Sequence, residues 1–178
     1  WDVHHGNGTQ DIFYTDESVY YASLHEEGLY PGTGKLEETG EGAGEGTTLN
    51  IPLPAGSGDA AYRDAFDELI GPAIDRFGAD LVLVSAGFDP HEYDPISRMR
   101  LSTEGFGLLT HRIRGLAERS NAGLGFILEG GYGLDTLSEG VGMVHEIFDG
   151  RKPADSTEEA SEDVTKRIER AREIHGLD

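Results

Sequence analysis

Asp2 and His4 stand two residues apart near the start of a 178-residue chain, with Gly6 and Gly8 directly after them. On extended backbone, residues i and i+2 share a face, so one carboxylate oxygen and one imidazole nitrogen can be aimed at a common point. That is half of a metal site. The glycines suit a chain leaving a strand through a tight turn, where a Cβ would obstruct positive φ or close backbone approach. Asp89, in Ser85-Ala86-Gly87-Phe88-Asp89-Pro90-His91, supplies a third ligand. One nitrogen and two carboxylates leave positions open for water and substrate, as catalytic zinc requires, although such a set also accepts Fe2+. A metal held this way acidifies water and polarises a carbonyl. Tyr132, on the turn Gly130-Gly131-Tyr132-Gly133, can offer its hydroxyl to the oxyanion from the side opposite the metal. Taken singly, Asp89 could equally cap a turn and Tyr132 could pack as a core aromatic.

The surrounding pattern predicts the elements that carry these groups. One helical turn is expected over 10–14 and a strand over 19–24, rich in β-branched and aromatic residues, with His25 at its exit. Residues 26–46 read as a long Gly- and Glu-rich loop, in which Tyr30-Pro31 suits the wall of a cleft. A strand follows at 48–53, then a helix over 59–77 with a possible kink at Gly71-Pro72. The unbroken apolar runs at 80–87 and 124–129 have the character of strands buried on both faces, and helices are expected over 103–118 and 135–148. Alternating strands and helices give an α/β fold, a mostly parallel sheet flanked by helices. Ligands in such sheets bind at the carboxyl ends of the strands, where Asp2 to His4, Asp89 and Tyr132 all fall. Residues 1–150 are read as one catalytic unit and 151–178 as an acidic helical tail. Ser156 and Glu159 are the expected capping box of that tail, and Val164, Ile168 and Ala171 its docking stripe.

Composition narrows the setting. Lys and Arg total 14 against 34 Asp and Glu, a net charge of −20, which repels nucleic-acid phosphate and anionic lipid. With lysine only at 35, 152 and 166, the surface is the kind expected in concentrated salt, where screening removes self-repulsion. There is no cysteine, so a transition metal must be held by His and carboxylate. No apolar run approaches membrane-spanning length and no signal segment opens the chain, so a cytoplasmic location in a high-salt organism is expected.

Together, Asp2-Val3-His4-His5-Gly6-Asn7-Gly8-Thr9-Gln10, Ser23-Leu24-His25, Tyr30-Pro31-Gly32-Thr33-Gly34, Asn50-Ile51-Pro52-Leu53, Ser85 to Asp89 and Glu129 to Tyr132 resemble the zinc-dependent histone deacetylase family. The likeness is to its class II-like branch, with acetoin-utilisation and acetylpolyamine amidohydrolase proteins, over residues 1 to about 150. It implies an arginase–deacetylase fold, zinc on Asp2, His4 and Asp89, and Tyr132 as the transition-state tyrosine. It also implies that Asn7 orients a catalytic histidine and that Tyr30 lines an acyl-lysine channel floored by Gly130 and Gly131. The backbone of His4, Ser23 and Leu24 would help hold a structural K+. Substrates would be acetylated lysine or small acetylated amines.

The family's pair of adjacent catalytic histidines lies upstream of Asp2, so the segment is expected to need a missing N-terminal part of the same domain. Alone it should be inactive, since proton-transfer groups are worth at least ~10²–10⁴ in rate. Two other readings stand beside the deacetylase. One is a remnant or acyl-binding module. The other is an arginase-like ureohydrolase, which would need second-metal carboxylates where this chain has Gly6 and His91.

Overall fold

The computed structural model describes residues 1–154 and 156–177; Asp155 and Asp178, both in the expected tail, lie outside the described residues. Among the described residues, four strands form two parallel ladders. β1 (Tyr21–Glu26) pairs with β2 (Thr48–Leu53), from Tyr21 beside Thr48 to Glu26 beside Leu53. β3 (Leu81–Ala86) pairs with β4 (Gly123–Leu128), from Leu81 beside Gly123 to Ala86 beside Leu128. The opening residues bridge the two ladders. Glu26 N–H donates to the Val3 carbonyl at 2.9 Å and Asp2 N–H donates to the Ser85 carbonyl at 3.3 Å. Asp2 and His4 therefore lie between the ends of β1 and β3.

The helices follow their sequence signals with instructive departures. α1 spans Asn7–Phe13, longer than one turn, because Gln10 turns inward and is held by buried partners. β1 is shifted two residues toward the C-terminus from its expected place, so His25 lies inside it. Between α2 (Asp59–Ala65) and α3 (Gly71–Phe77) the backbone forms a π turn over Phe66–Ile70, with Gly71 N–H reaching back to the Phe66 carbonyl. The wider turn accommodates Pro72, which has no N–H to donate, without ending the helix. α4 (Thr103–Ser120) is capped by Ser102, whose hydroxyl accepts from Gly105 N–H at 3.0 Å, and ends at Asn121 with φ +53°. α5 covers Leu134–Phe148.

The core runs from Val3 and β2 through Tyr62, Phe66 and Leu69 to Phe88 and Phe106. Trp1 packs edge-on against Phe88 and Phe106. Every residue of β2 is buried. α6 (Glu162–His175) shares this core, burying Val164, Ile168 and Ala171. Arg167 fixes it by donating to Glu27 at 2.7 and 2.9 Å and to the Pro52 carbonyl at 3.2 Å. Its cap is Ser161, which accepts from Val164 N–H, and not Ser156 with Glu159. The fully buried stripe begins only at Val164, and before it only Ala160 packs, partly buried, against the core.

The two apolar runs expected to be buried on both faces are not. Leu81 is 58%, Leu83 61% and Leu128 59% exposed. Among the described residues β3 and β4 pair only with each other, and one face of their ladder is uncovered. No described helix is long and apolar enough to cross a membrane.

Ile168 is 2% exposed in the α6 stripe. Ile168→Ala should cost about 2–4 kcal/mol in chemical denaturation, whereas truncation of a solvated tail residue would leave the midpoint unchanged.

Candidate metal centre

Asp2, His4 and Asp89 converge, with one ligand atom from each lying within 4.8 Å of the others. His4 Nδ1 stands 3.0 Å from Asp2 Oδ1 and 3.0 Å from Asp89 Oδ2. The remaining carboxylate oxygens are held by backbone. Gly130 N–H donates to Asp2 Oδ2 at 2.9 Å, and Val3 N–H donates to Asp89 Oδ1 at 2.9 Å. These amides fix which oxygen of each carboxylate faces the imidazole, as the outer hydrogen bonds of metal ligands do.

Close packing enforces the arrangement. A Cβ on Gly130 would come within 2.1 Å of Asp89 Oδ2, and one on Gly87 within 2.1 Å of Asp2 Oδ2. Only glycine lets the backbone approach so closely. The ends of β3 and β4 are joined as well, Phe88 N–H donating to the Gly130 carbonyl at 2.7 Å.

Asp89 is fully buried, and burial raises its carboxyl to about 6; the Asp2 carboxylate pushes the same way, while Val3 N–H and His4 oppose it. Its Oδ2 has no well-directed hydrogen bond despite the nearness of His4, whose Nδ1 is aligned on Asp2 Oδ1. An orphaned buried carboxylate oxygen, a second carboxylate and an imidazole nitrogen facing one point fit a divalent cation. Beneath them the Tyr62 phenol is fully buried, and burial, with the Asp89, Glu26 and Asp2 carboxylates, drives its pKa well up.

No second cluster of metal-ligating type occurs among the described residues. His91 is turned away: Nε2 pairs with Thr103 Oγ1 at 3.0 Å and Nδ1 accepts from Tyr93 N–H at 3.2 Å. With no side chain at Gly6, the two-metal arrangement of a ureohydrolase lacks its ligands.

The other expected site residues are placed differently. Tyr132 is 55% exposed on the turn after β4. Tyr30 is 80% exposed, on a loop drawn inward at Thr33 and Gly34. Thr33 Oγ1 meets His5 Nδ1 at 2.8 Å, and the Gly34 carbonyl accepts from His25 Nε2 at 2.9 Å. Asn7 opens α1 on the exposed surface, whereas Ser23 and Leu24 are buried in β1.

A fixed histidine pair supports this loop. His5 Nε2 meets Gln10 Oε1 at 2.8 Å, an oxygen that also accepts from Asn50 Nδ2 at 2.7 Å, so His5 must donate there. His25 donates through Nε2 and accepts Ser23 Oγ–H at Nδ1, 3.0 Å away. The two rings lie against each other, with centroids 4.9 Å apart. Burial chiefly, then His5, lowers the His25 pKa to about 4.

Asp94 was not among the expected site residues. It is buried and gathers amides from two loops, including Tyr132 N–H at 2.7 Å. Asp94-Pro95 signals a turn in the sequence. Its partners 38 and 39 residues further on leave no local trace.

A model of the histone deacetylase domain matches residues 1–148. The chain belongs to the histone deacetylase family. It is 46% identical to histone deacetylase 10, chloroplastic, of Oryza sativa subsp. japonica, over 99% of this chain and 42% of that protein. It is 44% identical to the histone deacetylase-like amidohydrolase of Pseudomonas aeruginosa, over 74% of this chain and 35% of that protein. The solved histone deacetylase Clr3 superposes with a TM-score of 0.92 at 38% identity, covering 98% of this chain and 30% of that one. The α/β architecture is accordingly the arginase–deacetylase fold. The histone deacetylase segment spans less than half the length of these relatives. Metal dependence is general in the family, in keeping with the donor set.

His25 gives a pH signature. Its folded pKa of about 4 lies below the unfolded 6.5, so the unfolded chain binds the extra proton. Its contribution is complete above pH 6.5 and is lost as pH falls toward 4. Asp89, raised from 3.8 to about 6, has the opposite slope in the metal-free chain. The stability difference between wild type and His25→Gln should therefore grow by about 3 kcal/mol from pH 4 to 6.5 in urea titrations. A pH-independent difference would show that His25 is not held neutral.

Proposed function

We propose that this chain is the metal-holding part of a zinc-dependent deacetylase domain, an amidohydrolase that removes acetyl groups from lysine side chains or small acetylated amines. The observation that carries the reading is the convergence of Asp2, His4 and Asp89, one oxygen of each carboxylate clamped by a backbone amide. Zinc is the assigned ion, with Fe2+ compatible with the same donors. When bound, the metal supplies Lewis acidity to the amide carbonyl and to a water.

The chain's own residues bind and orient. Asp2, His4 and Asp89 hold the ion, and Tyr132 donates its hydroxyl to the carbonyl oxygen as charge develops there. Gly130 and Gly131 floor the acyl site, in keeping with the absence of room for a Cβ at Gly130. Tyr30 lines the approach, and Asn7 orients a proton-transferring histidine. The backbone of His4, Ser23 and Leu24 contributes to a structural K+ site. Residues 1–150 are the catalytic part, and 151–178 are an appended tail whose helix covers β2. The acidic, lysine-poor surface suits a cytoplasm of high salt.

In the complete domain, Tyr132→Phe should lower turnover of an acetyl-lysine amide about 10²–10³-fold with metal content unchanged. Asp89→Asn should lose the metal itself, as measured by mass spectrometry. Unchanged turnover in the first variant would remove Tyr132 from the mechanism; full metal in the second would remove Asp89 from the ligand set.

The surface charge has its own consequence. The melting temperature of the purified chain should rise continuously from 0.1 M to molar KCl, because screening of like charges becomes complete only as the Debye length shrinks to about 3 Å. A plateau already reached at low salt would contradict adaptation to concentrated salt.

A further inference from the structure

We propose that Asp94 is a positioning residue that sets the Tyr132 hydroxyl over the metal centre by fastening the turn after β4 to the loop after β3. The proposal rests on the role given to Tyr132. Asp94 is 6% exposed. Its Oδ1 accepts Ile96 N–H at 2.9 Å, an Asx turn within its own loop. Its Oδ2 accepts Tyr132 N–H at 2.7 Å and Gly133 N–H at 3.1 Å, on the other loop.

One carboxylate thus holds three amides, and hydrogen bonds to an ionised acceptor are the shorter and stronger kind. Asp94 belongs to the loop that leaves Asp89, and that loop is rigid in its own right. Ser97 Oγ donates to the Asp89 carbonyl at 2.5 Å, and the Glu26 carboxylate, buried at the end of β1, accepts Arg98 N–H at 2.9 Å and Arg98 Nε–H at 2.6 Å. The backbone of a metal ligand and the backbone of the catalytic tyrosine are therefore referred to one frame.

The need for such a clamp is specific to Tyr132. Gly131 has φ +132°, Gly130 and Gly133 flank it, and the side chain is more than half exposed. Gly130 and Gly133 are held at the ends of the turn by Asp2, Phe88, Thr136 and Leu137, and at Tyr132 itself the amide held by Asp94 directs the backbone from which the ring projects. A misplacement of about 1 Å can cost on the order of 10²-fold in rate.

The test is a double-mutant cycle in the complete deacetylase domain, with kcat, KM and metal content measured for each variant. Asp94→Ala should lower kcat about 10–100-fold with metal content intact and KM little changed. Asp94→Asn should recover most of that loss, because its one carbonyl oxygen can still serve the Tyr132 and Gly133 amides. In the Tyr132→Phe background, Asp94→Ala should cost nothing further, since the hydroxyl it positions is gone. Should Asp94→Ala fail to fold, Asp94→Glu keeps the charge while displacing the turn by a methylene, and it should show the same dependence on Tyr132. If Asp94 variants cost the same factor with and without the Tyr132 hydroxyl, or leave kcat unchanged while Tyr132→Phe lowers it, the positioning role is overturned and the role of Tyr132 stands. If Tyr132→Phe itself leaves kcat unchanged, both fall.

Discussion

Two carboxylates meeting at one imidazole nitrogen, one of them fully buried, is the constraint on which the remaining architecture depends. Like charges at such spacing in a medium of low dielectric repel strongly, and burial first, with the Asp2 carboxylate, lifts the Asp89 carboxyl to about 6 against the opposing Val3 N–H and His4. The protein tolerates the pair by supplying main-chain donors. Val3 and Gly130 each give an N–H to one carboxylate oxygen, and both lie on segments that meet only in the folded sheet. A divalent cation held by Asp2, His4 and Asp89 would reverse the electrostatics, turning mutual repulsion into shared attraction. Side chains are excluded wherever backbone must come close, and this is why Gly87 and Gly130 stand beside the acids.

Those requirements propagate outward through the loops. The segment between β1 and β2 is long and glycine-rich, yet its described backbone is tied down by the adjacent rings of His5 and His25 and by Gln10, Asn50 and Glu38. A Cβ at Gly34 would fall 2.6–2.7 Å from both imidazole rings, so the loop reaches the histidines only through a glycine. His5 follows His4 directly, so order in that loop is order in the segment that carries Asp2 and His4. On the other side, Asp94, Ser97 and Glu26 perform the same service for the loop after Asp89. Polar residues buried for such reasons specify geometry more than they add stability.

How much of this could be read from the sequence depends on the range of the interaction. The grouping of Asp2 with His4 was legible because two positions apart is a local relation, and the place of Asp89 because an unbroken apolar run marks the strand just before it. β2 and α4 match their expected limits closely for the same reason. The starts of α1 and α6 were misplaced because burial of Gln10 and docking of Val164 are decided by partners far away in the chain. The apolar character of β3 and β4 predicted burial on both faces, but character only states what a strand is suited to. Exposure of Leu81, Leu83 and Leu128 depends on which elements lie against them. Asp94 was illegible as a site residue because an Asp-Pro pair announces a turn and not the distant amides that the carboxylate will hold.

The charge balance shows a division of labour between the two basic residue types. Among the described residues, ten arginines place the guanidinium on a carboxylate or a main-chain carbonyl. Arg76 closes the C-terminus of α6 through the His175 and Gly176 carbonyls, and Arg63 holds the Ser156 and Glu158 carbonyls. A planar fork satisfies two acceptors at once, which an ammonium cannot do with the same geometry. Contacts to main-chain carbonyls and to the buried Glu26 carboxylate are screened less by added salt than the exposed pairs of Arg119 and Arg170, and repulsion between surface charges farther apart than a Debye length is largely removed. In a chain with a net charge of −20, the arginine contacts to main-chain carbonyls thus hold helix and loop ends by interactions that surface repulsion and its screening affect least.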